Sequence, residues 1–183
     1  MRPWLPVVLV AVGAAVFLVY GSLSGPKSPP ELDARVSTTL VPGLVASVTD
    51  GDTIRLADNR RIRLVQIDAP ELPEGECYAE EATSELERLA PIGTEVTLHT
   101  DRRLGMKDEH GRFLAYVFKG KENVNLRLVG LGAAAPYFYR RTRGRYADEL
   151  LASARRAKAD RRGLWGACPG TRLNPTRRVD TGR

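Results

Sequence analysis

The sequence predicts an α+β domain built on a small barrel, and three observations carry that prediction. Five short runs alternate like half-buried strands: "LVASV" (44–48), "DTIRLA" (52–57), "RIRLVQI" (61–67), "EVTLHT" (95–100) and "RFLAYVFK" (112–119). Three further segments repeat apolar residues at helical spacing. Residues 40–169 are enough for one core.

The chain opens on "MRPWLPVVLVAVGAAVFLVYGSLSG", which has no charge between Arg2 and Lys27. That run is long enough to span a bilayer. Arg2 and the amino terminus are the only upstream positive groups, so the start stays in the cytoplasm and the rest is exported. Residues 1–24 thus read as a transmembrane anchor, with a signal peptide cleaved near Ser22 or Ser24 as the rival. Either way the domain is extracytoplasmic, anchored to the membrane or secreted. Residues 25–39 are proline-rich and polar, a linker between membrane and domain.

Asp58-Asn59 suits a tight turn, so the second and third strand runs should form a hairpin. Residues 78–90 place Tyr78, Ala82, Leu86 and Leu89 on one face with glutamates opposite, and Pro91 and Gly93 end the segment. Residues 124–131 form a short apolar helix. Residues 146–162 carry Ala147, Leu150, Leu151, Ala154 and Ala157 on one stripe, with Gly163 to close it. Residues 170–183 are basic and aperiodic, as expected of a disordered tail.

Formal net charge is +6. That favours polyanion partners, and its distribution says more than its sum. "RRLGMKDEHGR" and "YRRTRGRY" are arginine-rich, whereas 71–87 is dominated by glutamate. Cys77 and Cys168 are the two cysteines. In an oxidising compartment they most simply form one disulfide, and without nearby histidines they make no zinc site.

The hairpin holds the densest chemistry. Folding it at Asp58-Asn59, or one residue later, places Asp52 opposite residues 65–67 and beside Asp68. Two converging carboxylates repel unless a cation or proton intervenes. Oxygen ligands without cysteine or histidine suit Ca²⁺ ahead of Mg²⁺, and a backbone carbonyl such as that of Ala69 could add to them. Asp50 and Asp52 also suit an ordinary turn, so the pattern alone leaves both readings open. Glu71, past Pro70, lies where a base or water-orienting carboxylate serves hydrolysis. Arg63 can point its planar fork at a phosphate. Strict alternation, however, puts Arg63 and Asp68 on opposite sheet faces, so the strand must bulge or coil between them. Arg112, after the Gly111 turn in "DEHGR", offers a second cation for charge on a transferring phosphate.

In order and spacing these pieces resemble the staphylococcal nuclease (thermonuclease) family. The likeness spans 44–165 and rests on "DGDT" (50–53), "RLVQIDAPE" (63–71), "DEHGR" (108–112), "VNLRLVGLGAA" (124–134) and "GLWG" (163–166). It implies a five-stranded OB-type barrel with three helices, and calcium-dependent hydrolysis of DNA or RNA to 3′-phosphate ends. By motif, Asp52 and Asp68 match the family's calcium carboxylates, and Ala69 the position whose carbonyl also binds. Glu71 matches the catalytic glutamate, and Arg63 and Arg112 the phosphate-binding arginines. His110 stands where a tyrosine is expected. Tyr137 and Tyr139, in "PYFYRR", are the candidates for contacting the nucleotide. The protein is expected to act as a monomer on DNA and/or RNA. A non-catalytic nucleic-acid- or protein-binding module is the alternative, and a surface adhesion module a third. Retention of all five charged residues argues for activity. A histidine-dependent nuclease is disfavoured, since neither His99 nor His110 lies in a metal-ligand motif.

Overall fold

The computed structural model describes residues 39–182, so the expected N-terminal anchor and most of the linker lie outside the described residues. Among the described residues no helix is long and apolar enough to cross a membrane. Eight strands and four helices follow one another: β1 (Leu40–Asp50), β2 (Thr53–Leu56), β3 (Arg61–Leu64), β4 (Ile67–Asp68), α1 (Ala79–Leu89), β5 (Glu95–His99), β6 (Phe113–Lys119), β7 (Glu122–Asn123), α2 (Val124–Leu131), β8 (Ala135–Pro136), α3 (Ala147–Ala159) and the single turn α4 (Leu164–Ala167). Strands β3, β2, β1, β5 and β6 pair in that order, and a parallel pairing of β3 with β6 closes the ring. This is the expected α+β architecture, a closed five-stranded barrel with helices; α4 is an addition to the three expected.

Alternation predicts the barrel because its inward residues line one core. Ile54, Leu56, Ile62, Leu64, Val96, Leu98 and Val117 are all buried there. The helices bring the stripes expected of them. Ala79, Ala82, Leu86 and Leu89 are buried along α1, and Ala147, Leu150, Ala154 and Ala157 along α3. Tyr78 precedes α1 as a left-handed cap with φ 72° and packs against the same core as Ala82, Leu86 and Leu89.

Two departures matter for the site. First, the hairpin turns earlier than expected, through residues 57–59: Ile54 pairs with Ile62, the Leu56 N–H donates to the Arg60 carbonyl, and the Leu64 N–H donates to the Asp52 carbonyl. Asp52 therefore faces residue 64, not 65–67. Arg60 closes the turn, its N–H and Nε both donating to the Asp58 carboxylate, with Asn59 at φ 67°. Second, the run 61–67 is two strands. Gln66 sits at φ 64° and breaks the extended chain between β3 and β4. A non-glycine residue in that region costs energy and persists only where its surroundings hold it. Here they do. The Gln66 side chain donates to the Thr142 carbonyl at 2.9 Å and accepts from the Gly144 N–H at 2.6 Å. Buried Asn125 donates to the Val65 carbonyl and accepts from the Val117 N–H, both at 2.9 Å, pinning the break to β6.

Residues 170–182, expected as a disordered tail, form no helix or strand but lie against the domain. Val179 and Thr181 are buried, Leu173 packs on the core, and the Phe138 N–H donates to the Pro175 carbonyl at 2.6 Å. Polar composition hid the few apolar anchors that make this possible. Cys77 and Cys168 are disulfide-bonded, joining the approach to α1 with the end of α4.

Candidate active site

The break at Gln66 resolves the parity conflict in the sequence. It turns the chain so that Arg63 and Asp68 meet. Arg63 Nη1 donates to the carbonyls of Leu64 and Ile67, each at 2.8 Å. Its Nη2 lies 2.7 Å from Asp52 Oδ2 and 2.8 Å from Asp68 Oδ1. One guanidinium thus binds the loop's carbonyls and clamps the two acids.

Asp52 arrives from the β1–β2 turn. Gly51 is required there, because a Cβ would lie 2.6 Å from the Ala69 Cβ and 2.9 Å from that of Ala82. This close approach lets Asp52 Oδ2 accept the Ala69 N–H at 2.9 Å, while Asp50 Oδ1 accepts the Asp52 N–H at 3.0 Å. Asp68 arrives from β4, whose partner is β8. Its second oxygen accepts the Val179 N–H at 2.8 Å. Asp52 and Asp68 are 3% and 2% exposed, so neither charge is solvated by bulk water.

Burial sets their electrostatics. It pushes Asp52 up to about 8 against the pull of Arg63, with Asp50 and Asp68 adding to the rise. Burial likewise raises Asp68, opposed by Arg63 and the Val179 N–H. Glu71 is raised by burial first, then by Asp50 and Asp68. Its carboxylate is part-exposed and accepts from Arg178 Nη1 at 3.2 Å. Two buried carboxylates against one guanidinium leave the site short of positive charge. The donors are oxygens alone, the chemistry a hard divalent cation takes. Asp52 and Asp68 supply oxygen donors of that kind, and the Ala69 N–H is bonded to one of them. Among the described residues no three or more histidines, cysteines or acids come together as a metal-holding group, so this pair of carboxylates stands without a third acid.

Arg112 stands on a turn of its own. Asp108 Oδ1 accepts the N–H groups of His110 and Arg112, and Asp108 Oδ2 accepts Arg112 Nε at 2.6 Å. Burial tends to raise Asp108, but the bonds from Arg112 prevail and hold it below the usual carboxylate range. The pairing of Ile62 with Phe113 sets this turn beside β3, and Arg61 Nη2 donates to the His110 carbonyl at 2.8 Å. Thr53 links the halves. Its hydroxyl lies 3.1 Å from Asp52 Oδ1 and 3.4 Å from Arg112 Nη1.

An open pocket of about 390 Å³ lies between them, lined by Arg63, Arg112, His110, Tyr137 and Tyr139 among others. The two tyrosines meet edge to face with ring centroids 6.5 Å apart. Arg140 stacks over Tyr139 at 5.3 Å. The structure thus gathers Arg63, Arg112, Tyr137 and Tyr139 at one pocket, with Asp52 and Asp68 bonded to its arginine; Glu71 does not line that pocket and faces Arg178 instead. Thr53, Gln66, Arg178 and Val179 were missed by sequence reasoning. Thr53 within "DGDT" carried some signal; a lone glutamine and a tail arginine carried none.

A closed barrel with acids and arginines gathered at its rim makes this an OB-type barrel protein. Comparison with known proteins narrows that class. The family model described as staphylococcal nuclease homologue matches residues 61–167. A thermonuclease of Staphylococcus intermedius is 32% identical over 140 residues, covering 72% of this chain and 80% of that protein. An uncharacterized endonuclease of Escherichia coli O157:H7 is 38% identical over 128 residues, 67% of this chain and 76% of that protein. A thermonuclease of Staphylococcus hyicus is 30% identical over 128 residues, 66% of this chain and 73% of that protein. The chain belongs to the staphylococcal nuclease family.

Proposed function

We propose that the protein is a nuclease that hydrolyses phosphodiester bonds of DNA and/or RNA with a divalent cation, Ca²⁺ by preference, leaving 3′-phosphate ends. One observation carries the reading: Arg63, on the wall of an open pocket that Arg112 and two tyrosines share, clamps two buried carboxylates behind it. The thermonucleases and endonucleases to which the chain is similar support the same activity.

Asp52, Asp68 and the Ala69 carbonyl would hold the cation, which supplies positive charge to a phosphoryl oxygen when bound. Arg112, and the pocket face of Arg63, hold the anionic phosphate and the charge that grows on it. Tyr137 and Tyr139 offer ring faces to a base. Glu71 orients a water or takes its proton as the water oxygen bonds to phosphorus. The bond from phosphorus to the 5′-oxygen breaks, and that oxygen takes a proton from solvent water in the open pocket as it leaves. The raised affinity of Glu71 for protons suits a base more than an ordinary surface glutamate would. The disulfide supports an oxidising, extracytoplasmic location.

The test is single-turnover cleavage of a short single-stranded oligonucleotide by the full chain, with Ca²⁺ or with chelator. Cleavage is expected with Ca²⁺ alone. Glu71→Gln keeps the shape and loses the base, so turnover should fall about 10²–10⁴-fold with substrate binding largely kept. A variant that cuts as fast as the parent makes Glu71 a structural acid. Binding without cutting by the parent makes the protein a nucleic-acid-binding module.

A further inference from the structure

The segment after α4 makes contacts that its composition does not foretell. It leaves the disulfide at Cys168, passes Phe138, and returns to the other half of the same disulfide, where the Cys77 N–H donates to the Gly182 carbonyl at 2.9 Å. Between those ends it touches both kinds of acid in the site. The Val179 N–H donates to Asp68 Oδ2 at 2.8 Å, and Arg178 Nη1 reaches Glu71 Oε1 at 3.2 Å. Val179 itself is buried against Ala135, Leu164 and Cys168, so the position of its N–H is fixed by packing.

We propose that residues 173–182 are a working part of the active site: a C-terminal strap that positions Asp68 through the Val179 N–H and Glu71 through the Arg178 guanidinium. The inference rests on the nuclease reading and adds to it two positioning residues. Asp68 shows why a strap is needed. It stands on a two-residue strand, too short to hold a carboxylate by itself. Arg63 takes Oδ1, and without Val179 the other oxygen would be free to rotate. A partner on each oxygen fixes the plane of the group, which is what a ligating carboxylate needs from its surroundings. Glu71 follows Pro70 in a loop, and Arg178 pulls its carboxylate to one side.

The strap orients and does not cover. No residue of 170–182 lines the pocket that Arg63, Arg112 and the tyrosines share, so the strap leaves that space open and bears on the acids beside it. A strap that orients those acids lowers turnover when it is removed, and one that blocks them raises it.

The experiment compares the full chain with a deletion of residues 176–183, Arg178→Ala and Arg178→Lys. Turnover and KM are read on a single-stranded oligonucleotide, calcium affinity by calorimetry, and folding by circular dichroism. The deletion is expected to lower turnover and calcium affinity about 10–100-fold, the usual effect of losing a partner that orients a ligand. Arg178→Ala should lower turnover with KM little changed, and Arg178→Lys should recover much of the loss. Parent-like turnover and calcium affinity in both the deletion and Arg178→Ala overturn the proposal. A rise in turnover overturns it too, and makes the tail inhibitory. Arg178 is half-exposed, so its variants report even if the deletion does not fold. If the parent does not cleave, the nuclease reading fails, while calcium affinity of parent and deletion still decides the strap.

Discussion

Arg63 and Arg112 reach the same pocket from opposite kinds of support. Arg63 is 7% exposed, and its two terminal nitrogens serve two carbonyls and two carboxylates of the fold itself. Arg112 is held by one acid, Asp108, from within its own turn, and among the described residues its side chain reaches the rest of the site through Thr53. The first arginine is thus part of what folds the site; the second is delivered to it ready-made. A residue of the first kind cannot be changed without changing the scaffold, whereas one of the second kind can. Stability and activity should therefore separate at Arg112 and fail together at Arg63.

Arg63→Ala should give the largest loss. It strands two buried carboxylates and leaves the Leu64 and Ile67 carbonyls without their shared donor. Breaking a buried ion pair from one side costs about 3–5 kcal/mol. Urea unfolding should show a midpoint lowered accordingly, with cleavage lost as well. A variant as stable as the parent would mean that Asp52 and Asp68 find water or a proton at no cost, and the contrast between the two arginines would collapse.

The next largest effect tests whether the disulfide belongs to the Arg63 side of the comparison. The bond spans 91 residues and ties the approach to α1 to the start of the strap. In the chain-entropy account, losing such a link costs about 2–4 kcal/mol. Cys77→Ser with Cys168→Ser should lower the unfolding midpoint by that margin, and should also reduce turnover if the strap orients Asp68. Intact mass before and after alkylation of the parent checks the bond, since two alkylated thiols would show that it is absent in solution.

The same contrast explains what was legible in the sequence. "DEHGR" is a local device: an acid, a glycine at φ 73° and an arginine within five residues, readable because its partners are its neighbours. The strands and helices were legible for a similar reason, their periodicity being a local property that burial then uses. The Arg63 site is not local. Its geometry depends on a left-handed glutamine whose partners lie at Thr142 and Gly144, and on Asn125 reaching Val65. Nothing in "RLVQIDAPE" states where the chain turns; the parity conflict between Arg63 and Asp68 showed only that it must. The hairpin register failed for a smaller reason: Ala57 joined the turn and Arg60 paired with Leu56, which moves the register by one residue. The strap was illegible because a few apolar anchors among polar residues resemble a tail until the groove that receives them is known.

The smallest expected change in stability is at Arg112, and it is the sharpest test of the comparison. Arg112→Lys keeps a cation beside Asp108, so the ion pair survives in part. The link to Thr53 and the planar fork do not. A part-exposed pair of this kind contributes little, so stability should change by no more than about 1 kcal/mol. Activity should not be spared. A lysine offers a point charge where a phosphate needs two parallel donors, so turnover should fall by at least about tenfold, toward the 10²–10³-fold of a lost transition-state donor. KM should move less than turnover, because the interaction strengthens as charge develops. The measurement pairs single-turnover cleavage with urea unfolding of the same preparation. If both fall together, Arg112 is a scaffold residue like Arg63, and the turn is less self-contained than its hydrogen bonds indicate. If neither falls, the charge on the phosphate is met elsewhere in the pocket, where Lys107 and Arg140 are further cations on its wall.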